Sequence, residues 1–139
     1  MSRAAEIAQE IAHYMPAIAR RIILGFFQST EITPSQMFVI LFLSENKENR
    51  LSDVSRALRI SAPTVTGVID RLEKSGAVKR IPSHEDRRVI FLELTPKGKS
   101  IARKFRTTIK NRWQDILAKL RPEEGEQYLR IIKKIHRLI

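Results

Sequence analysis

Apolar residues recur at helical spacing over the first part of the chain. Ile7, Ile11, Met15, Ile18 and Ile22 line one face of residues 4–27, with Ala4, Ala8, Ala12 and Ala19 in support. Pro16 sits inside this pattern. It lacks an amide donor and crowds the preceding turn, so it predicts a kink or a division of the helix. Thr33-Pro34-Ser35-Gln36 has the form of a capping box with Pro at the first helical position. The run that follows, Met37 to Leu43, is apolar throughout and predicts a buried central helix. Glu45 to Asn49 reads as a solvated loop. Leu51 to Leu58 predicts a short amphipathic helix behind a Ser cap. After a break at Arg59-Ile60, residues 61–76 predict a second helix, with Ser61 as its cap. Pro63 is harmless in the first turn, Val65, Val68, Ile69 and Leu72 are spaced for the core side, and Gly76 suits a left-handed stop.

The pattern then changes. Ala77–Ile81 and Val89–Leu94 predict two strands around the polar turn Pro82–Arg88. Thr95-Pro96 opens another helix, whose stripe is Ile101, Phe105, Ile109, Trp113, Ile116 and Leu120. A helix from Pro96 to Leu120 would be about 37 Å long at 1.5 Å per residue, more than a compact core needs. Arg121-Pro122-Glu123-Glu124 starts a last helix with carboxylates at its positive end, and Tyr128, Leu129, Ile132, Ile135 and Ile139 form its stripe. The long stripe of the first helix fits either core packing or packing against a partner, and the second reading is the better supported.

Two short helices a few residues apart fit helix-turn-helix geometry, and a hairpin directly after the second is a wing. The wing carries Asp86-Arg87-Arg88, five residues, Leu94-Thr95, two residues, Gly98. This run resembles the wing signature of the MarR family of winged helix-turn-helix transcriptional regulators. Pro63-Thr64-Val65-Thr66 and Arg71-Leu72-Glu73-Lys74-Ser75-Gly76 are similar too. The resemblance covers nearly the whole chain. It implies a mainly α fold: a winged helix-turn-helix unit over residues 33–95, with a small β-hairpin wing, flanked by dimerisation helices at 1–30 and 96–139. It also implies that the first, fifth and sixth helices of two chains interlock as a homodimer stalk.

Composition narrows the partner. The chain has 26 basic and 15 acidic side chains, a net charge of +11. Residues 1–55 hold five basic against six acidic groups, whereas residues 56–139 hold 21 against nine. The excess starts at the presumed reading unit, which favours a polyanion such as double-stranded DNA. There is no cysteine, so disulfides, thiolate metal sites and thiol redox sensing are excluded. The first residues open no signal peptide, and the longest apolar run, Met37–Leu43, is too short to span a bilayer. A cytoplasmic protein that uses no membrane and no cofactor is the simplest expectation.

Enzyme chemistry has no footing. There is no phosphate loop, dinucleotide fingerprint or nucleophile elbow, and His13, His84 and His136 are scattered without metal-ligand spacing. On the second short helix, Ser61, Thr64 and Thr66 offer hydroxyls to base edges, and Gly67 permits close backbone approach. Ser61 serves equally well as a plain cap. Arg71 lies far enough along to meet a phosphate, and Lys79, Arg80 and Arg87 are further phosphate candidates. The resemblance implies that Arg88 enters a minor groove while Asp86 orients the wing, and a lone guanidinium on a hairpin tip suits a narrow, electronegative groove. Residues 97–112 carry seven cations and no acid. Lys99, Arg103, Arg106 and Lys110 share a face that is either solvated or a surface for a polyanion. The expected function is a dimeric, sequence-specific regulator of a pseudo-palindromic operator, acting as a repressor. From the resemblance, a small anionic aromatic effector would relieve it, with Tyr14, Arg20 and Arg21 as weak candidates for its pocket. The alternative is an architectural, sequence-tolerant DNA-binding protein.

Overall fold

The structure, a computed structural model, describes residues 1–139. The chain forms helices α1 (Arg3–Gln28), α2 (Pro34–Glu45), α3 (Leu51–Leu58), α4 (Ala62–Lys74), α5 (Pro96–Leu117) and α6 (Pro122–Leu138). Strands β1 (Asn49–Arg50), β2 (Val78–Pro82) and β3 (Ile90–Leu94) make one antiparallel sheet in the order β1-β3-β2. The residues divide into two compact units. One holds Met1–Leu24 with Thr107–Ile139, and the other is Gly25–Arg106.

The Gly25–Arg106 unit has a closed core. Met37, Val39 and Ile40 of α2, Val54 of α3, and Val65, Ile69 and Leu72 of α4 are at most 1% exposed. Burying each such side chain stabilises the unit by about 1.5–3 kcal/mol. The α2 cap is as read: Thr33 Oγ1 accepts from Gln36 N, and Gln36 Oε1 accepts from Thr33 N. Within the sheet Val78, Arg80 and Pro82 lie opposite Leu94, Leu92 and Ile90. Leu92 and Leu94 are buried while Glu93 between them is exposed, the alternation of a half-buried strand.

The wing is knotted to the end of α4. Ala77 N donates to Leu72 O (2.9 Å), Thr95 N to Ala77 O (3.0 Å), Thr95 Oγ1 to Gly76 O (2.5 Å) and Lys97 Nζ to Ser75 O (2.5 Å). Gly76 takes a φ of +83°, the left-handed stop its position suggested. Gly98 packs so closely that a Cβ there would lie 2.1 Å from the Ala77 carbonyl oxygen.

Five details differ from the sequence reading. First, α1 is not divided at Pro16: one helix runs through it. The ring forfeits one bond to Ala12, and Ala12 is exposed, so water can satisfy its carbonyl. Second, α3 is capped by a carboxylate instead of a serine: Asp53 accepts from the backbone N of Arg50 (2.8 Å). Third, the supposed solvated loop ends in β1, whose Asn49 is buried, pairs opposite Leu92 and donates from Nδ2 to Asn46 O. Fourth, α2 is not buried all round, since Phe38 is 59% exposed. A helix this close to the surface buries one side only, and seven apolar residues in a row hide which side that is. Fifth, α5 ends at Leu117, a length of about 33 Å.

The other unit is helical and open. Trp113 of α5 and Tyr128 of α6 stack with ring centroids 5.1 Å apart. Arg121 N donates to Glu124 Oε1 (3.0 Å) at the start of α6. No residue of α6 is buried. Ile7, Ile11, Met15 and Ile18 of α1 and Leu129, Ile131, Ile132 and Ile135 of α6 are each more than 40% exposed.

Candidate nucleic-acid interface

The surface of α4 is built around its cap. Ser61 Oγ accepts from Thr64 N (3.4 Å) and lies 2.8 Å from Thr64 Oγ1. The two hydroxyls are exposed but engaged with each other. Thr66 Oγ1 donates to Ala62 O (2.9 Å), so its hydrogen is spent within the helix. Its lone pairs can still accept from a cytosine or adenine amino group, and its methyl can meet a thymine methyl. Above Gly67 there is open space, since a Cβ there would meet nothing within 4 Å. Arg71 is exposed on the last turns of α4. The inward positions Val65, Val68, Ile69 and Leu72 are buried, which fixes the outward face of α4.

The wing turn is organised by Asp86. Its Oδ1 accepts from Arg88 N (3.0 Å) and Arg88 Nε (3.2 Å), while Val89 N donates to Asp86 O (3.0 Å). Ser83 Oγ accepts from Glu85 N and Asp86 N, and Ser83 N donates to Val89 O (2.9 Å). Hydrogen bonds from the backbone and side chain of Arg88 hold the Asp86 carboxyl below its ordinary value, with the Arg50 charge contributing. Arg88 nonetheless keeps 92% of its side chain exposed. Arg87, His84 and Lys79 are exposed as well.

Arg80 stands apart from the other cations. Its guanidinium is drawn back onto α4, bonding Asp70 (2.5 Å) through Nη2 and Glu73 through Nη1. The bond to Asp70 leads in raising its pKa above the ordinary value, against the opposing effect of burial. Expected as a phosphate contact, it also bonds two carboxylates of its own chain.

Sequence reasoning overlooked Arg50. It pairs opposite Phe91, with its guanidinium carbon 5.8 Å from the Phe91 ring centre. A two-residue strand leaves no alternation to detect, so no signal pointed there. The cationic run on α5 is also less uniform than it looks. Lys97 is tied to Ser75, and Arg106 to Ser44 Oγ (2.9 Å) and Glu45 (3.2 Å). Lys99 and Arg103 border a hollow of about 890 Å³ between the wing and α2, which Glu48, Glu85 and Glu93 also line. Tyr14 is exposed and meets His13 edge-on at 5.0 Å, beside an open hollow lined by Arg3, Glu6 and Glu10. Arg20 and Arg21 are exposed and do not line that hollow. No group of three His, Asp or Glu side chains comes together to hold a metal ion, and no helix is long and apolar enough to cross a membrane.

A short capped helix with an outward polar face, a second helix bracing it and a cation-tipped hairpin beside it define a winged helix-turn-helix protein of the DNA-binding kind. Residues 32–90 match the profile of the MarR family. The HTH-type transcriptional regulator PapX of Escherichia coli is 30% identical over 112 residues, 79% of this chain and 68% of that one. The uncharacterised HTH-type transcriptional regulator YfiV of Bacillus subtilis is 40% identical over 73 residues, 52% of this chain and 46% of that protein. Streptococcus pneumoniae FabT, solved in complex with DNA, superposes with a TM-score of 0.76 at 25% identity, over 95% of this chain and 99% of that one. The chain belongs to the MarR family, whose members are transcriptional regulators and not enzymes.

Proposed function

We propose that this MarR-family regulator works as a homodimer that binds a pseudo-palindromic operator, one winged unit per half-site, and represses transcription. The observation that carries this reading is the pairing of opposites in one chain. One unit has a closed core and a polar, cation-tipped outer face; the other leaves the apolar stripes of α1 and α6 uncovered. The first is suited to DNA and the second to another copy of itself.

In this reading α4 enters a major groove with Thr64, Thr66 and Gly67 nearest the bases and Ser61 holding the helix start. Arg88 enters the neighbouring minor groove, held out by Asp86, and Arg71, Lys79 and Arg87 meet phosphates. A small anionic aromatic molecule relieves repression. The family resemblance supports that last step, with Tyr14, Arg20 and Arg21 as the groups of α1 able to meet an aromatic ring and a carboxylate. The test is selection of duplexes from a random-sequence pool, followed by footprinting. Recovery of an inverted repeat protected as one block supports the reading. Uniform coating of all duplexes would instead identify a sequence-tolerant architectural protein. Release by a panel of benzoates and hydroxybenzoates tests the effector step.

A further inference from the structure

Arg80 sits on β2 opposite Leu92 and reaches back to α4, where Asp70 and Glu73 lie three residues apart on one exposed face. It bonds both, and its side chain is only 28% exposed against 60% for Asp70 and 42% for Glu73. The remaining ties between wing and helix cluster at the very end of α4, at Leu72, Ser75, Gly76 and Ala77. β3 is held by β1 as well, and Val78, Leu92 and Leu94 are buried, so these ties seat the wing at its base. Asp70 lies four residues before Lys74, the last residue of α4, about 6 Å along the helix axis at 1.5 Å per residue, and a further attachment there braces the wing's angle.

We propose that Arg80 is a positioning residue: by bridging Asp70 and Glu73 it sets the angle between the wing and α4, and so the spacing at which Arg88 and the face of α4 meet adjacent grooves. The inference rests on the reading that α4 and the wing contact DNA. It distinguishes Arg80 from the phosphate-contacting cations, because two charge-assisted bonds from separate guanidinium nitrogens already draw it back onto α4. It also gives Asp70 and Glu73, acids on a helix that approaches a polyanion, a reason to be there.

The sign of one variant separates positioning from plain charge. Asp70→Asn combined with Glu73→Gln removes two negative charges per subunit and frees Arg80. Electrostatics alone predicts tighter binding to every duplex. The clamp predicts weaker binding, by about tenfold, to a duplex selected by the wild-type protein, with a scrambled duplex bound as well as before or better. Arg80→Met should weaken the selected duplex to a similar degree while leaving the salt slope of log affinity at its wild-type value. Arg80→Lys, a point charge that cannot grip both carboxylates in a fork, should fall between. The measurement is a salt titration of each protein on both duplexes, with melting temperatures alongside. If Arg80→Met fails to fold, the double acid variant carries the test. Tighter or equal binding of the selected duplex by that double variant overturns the clamp. So does a drop in salt slope of about 0.9 per subunit in Arg80→Met, which would make Arg80 a phosphate contact. A wild-type protein that selects no duplex removes the DNA reading and the clamp together, whereas binding that is normal in all three variants removes the clamp alone.

Discussion

The two units use the same apolar residue types to opposite ends. In the Gly25–Arg106 unit, Ile40, Ile69, Val54 and Leu72 are fully out of water. In the unit of Met1–Leu24 and Thr107–Ile139, Ile11, Leu129, Ile131 and Ile135 stand roughly half in it. Helical stripes look alike in sequence whichever fate they meet. The difference lies in whether the same chain supplies the opposing layer: α2, α3, α4 and the sheet surround one another, while α6 buries nothing. A stripe left uncovered that long supports the proposed second chain more strongly than any one residue could.

The sharpest way to break this comparison is Ile132→Asp, or removal of residues 122–139. Either should convert the proposed dimer to monomer or aggregate in analytical ultracentrifugation, because a charge cannot be carried into an apolar interface unpaired. A well-folded monomer with undiminished affinity for a full inverted repeat would show that the apolar stripes serve something else. Next in size is Ile69→Ala, which empties a site 0% exposed and should lower the unfolding free energy by about 2–5 kcal/mol in urea. Arg88→Ala should leave the melting temperature unchanged yet lower the salt slope of DNA affinity by about 0.9 per subunit, on selected and scrambled duplexes alike. An intact slope would remove the wing from the contact surface. Thr66→Val should leave the slope alone and shrink the specific-to-non-specific ratio by about 1 kcal/mol, the low end of a base contact, because its hydroxyl hydrogen already serves Ala62.

The smallest effect concerns pH. The carboxyl of Asp86 titrates below its ordinary value of 3.8, so the folded wing favours its charged form. Its contribution is therefore present above the ordinary carboxylate pKa and is lost only as pH falls through the lowered one. Following the Arg88 amide by NMR should give a midpoint below 3.8; one at or above it would mean the turn does not depend on this carboxylate.

Most of the reading unit was legible because its signals are local. A cap with its Pro, a left-handed Gly76 and two strands around a polar turn each announce themselves within a few residues. The MarR resemblance rests on the same stretch. What escaped was settled by distant partners. Arg80 looked like a free cation because Asp70 and Glu73 are ten and seven residues away, on another element. Asn49 looked like loop because its strand has two residues and its mate is β3. Phe38 looked buried because an unbroken apolar run has no phase. Pro16 promised a kink or a division, and the helix is undivided because one exposed carbonyl absorbs the lost bond.

The placement of β1 also orders events in time. β2 and β3 are joined by the turn at residues 83–89 and can zip together early, since a short loop closes at small entropic cost. β1 must wait, because its partner β3 follows α3, α4 and β2 in the chain. A nascent chain that has released only α3 and α4 therefore lacks the strand that anchors the start of α3. β1 is then a late-closing latch, and loosening it at Asn49 should quicken unfolding while leaving the folding rate nearly untouched.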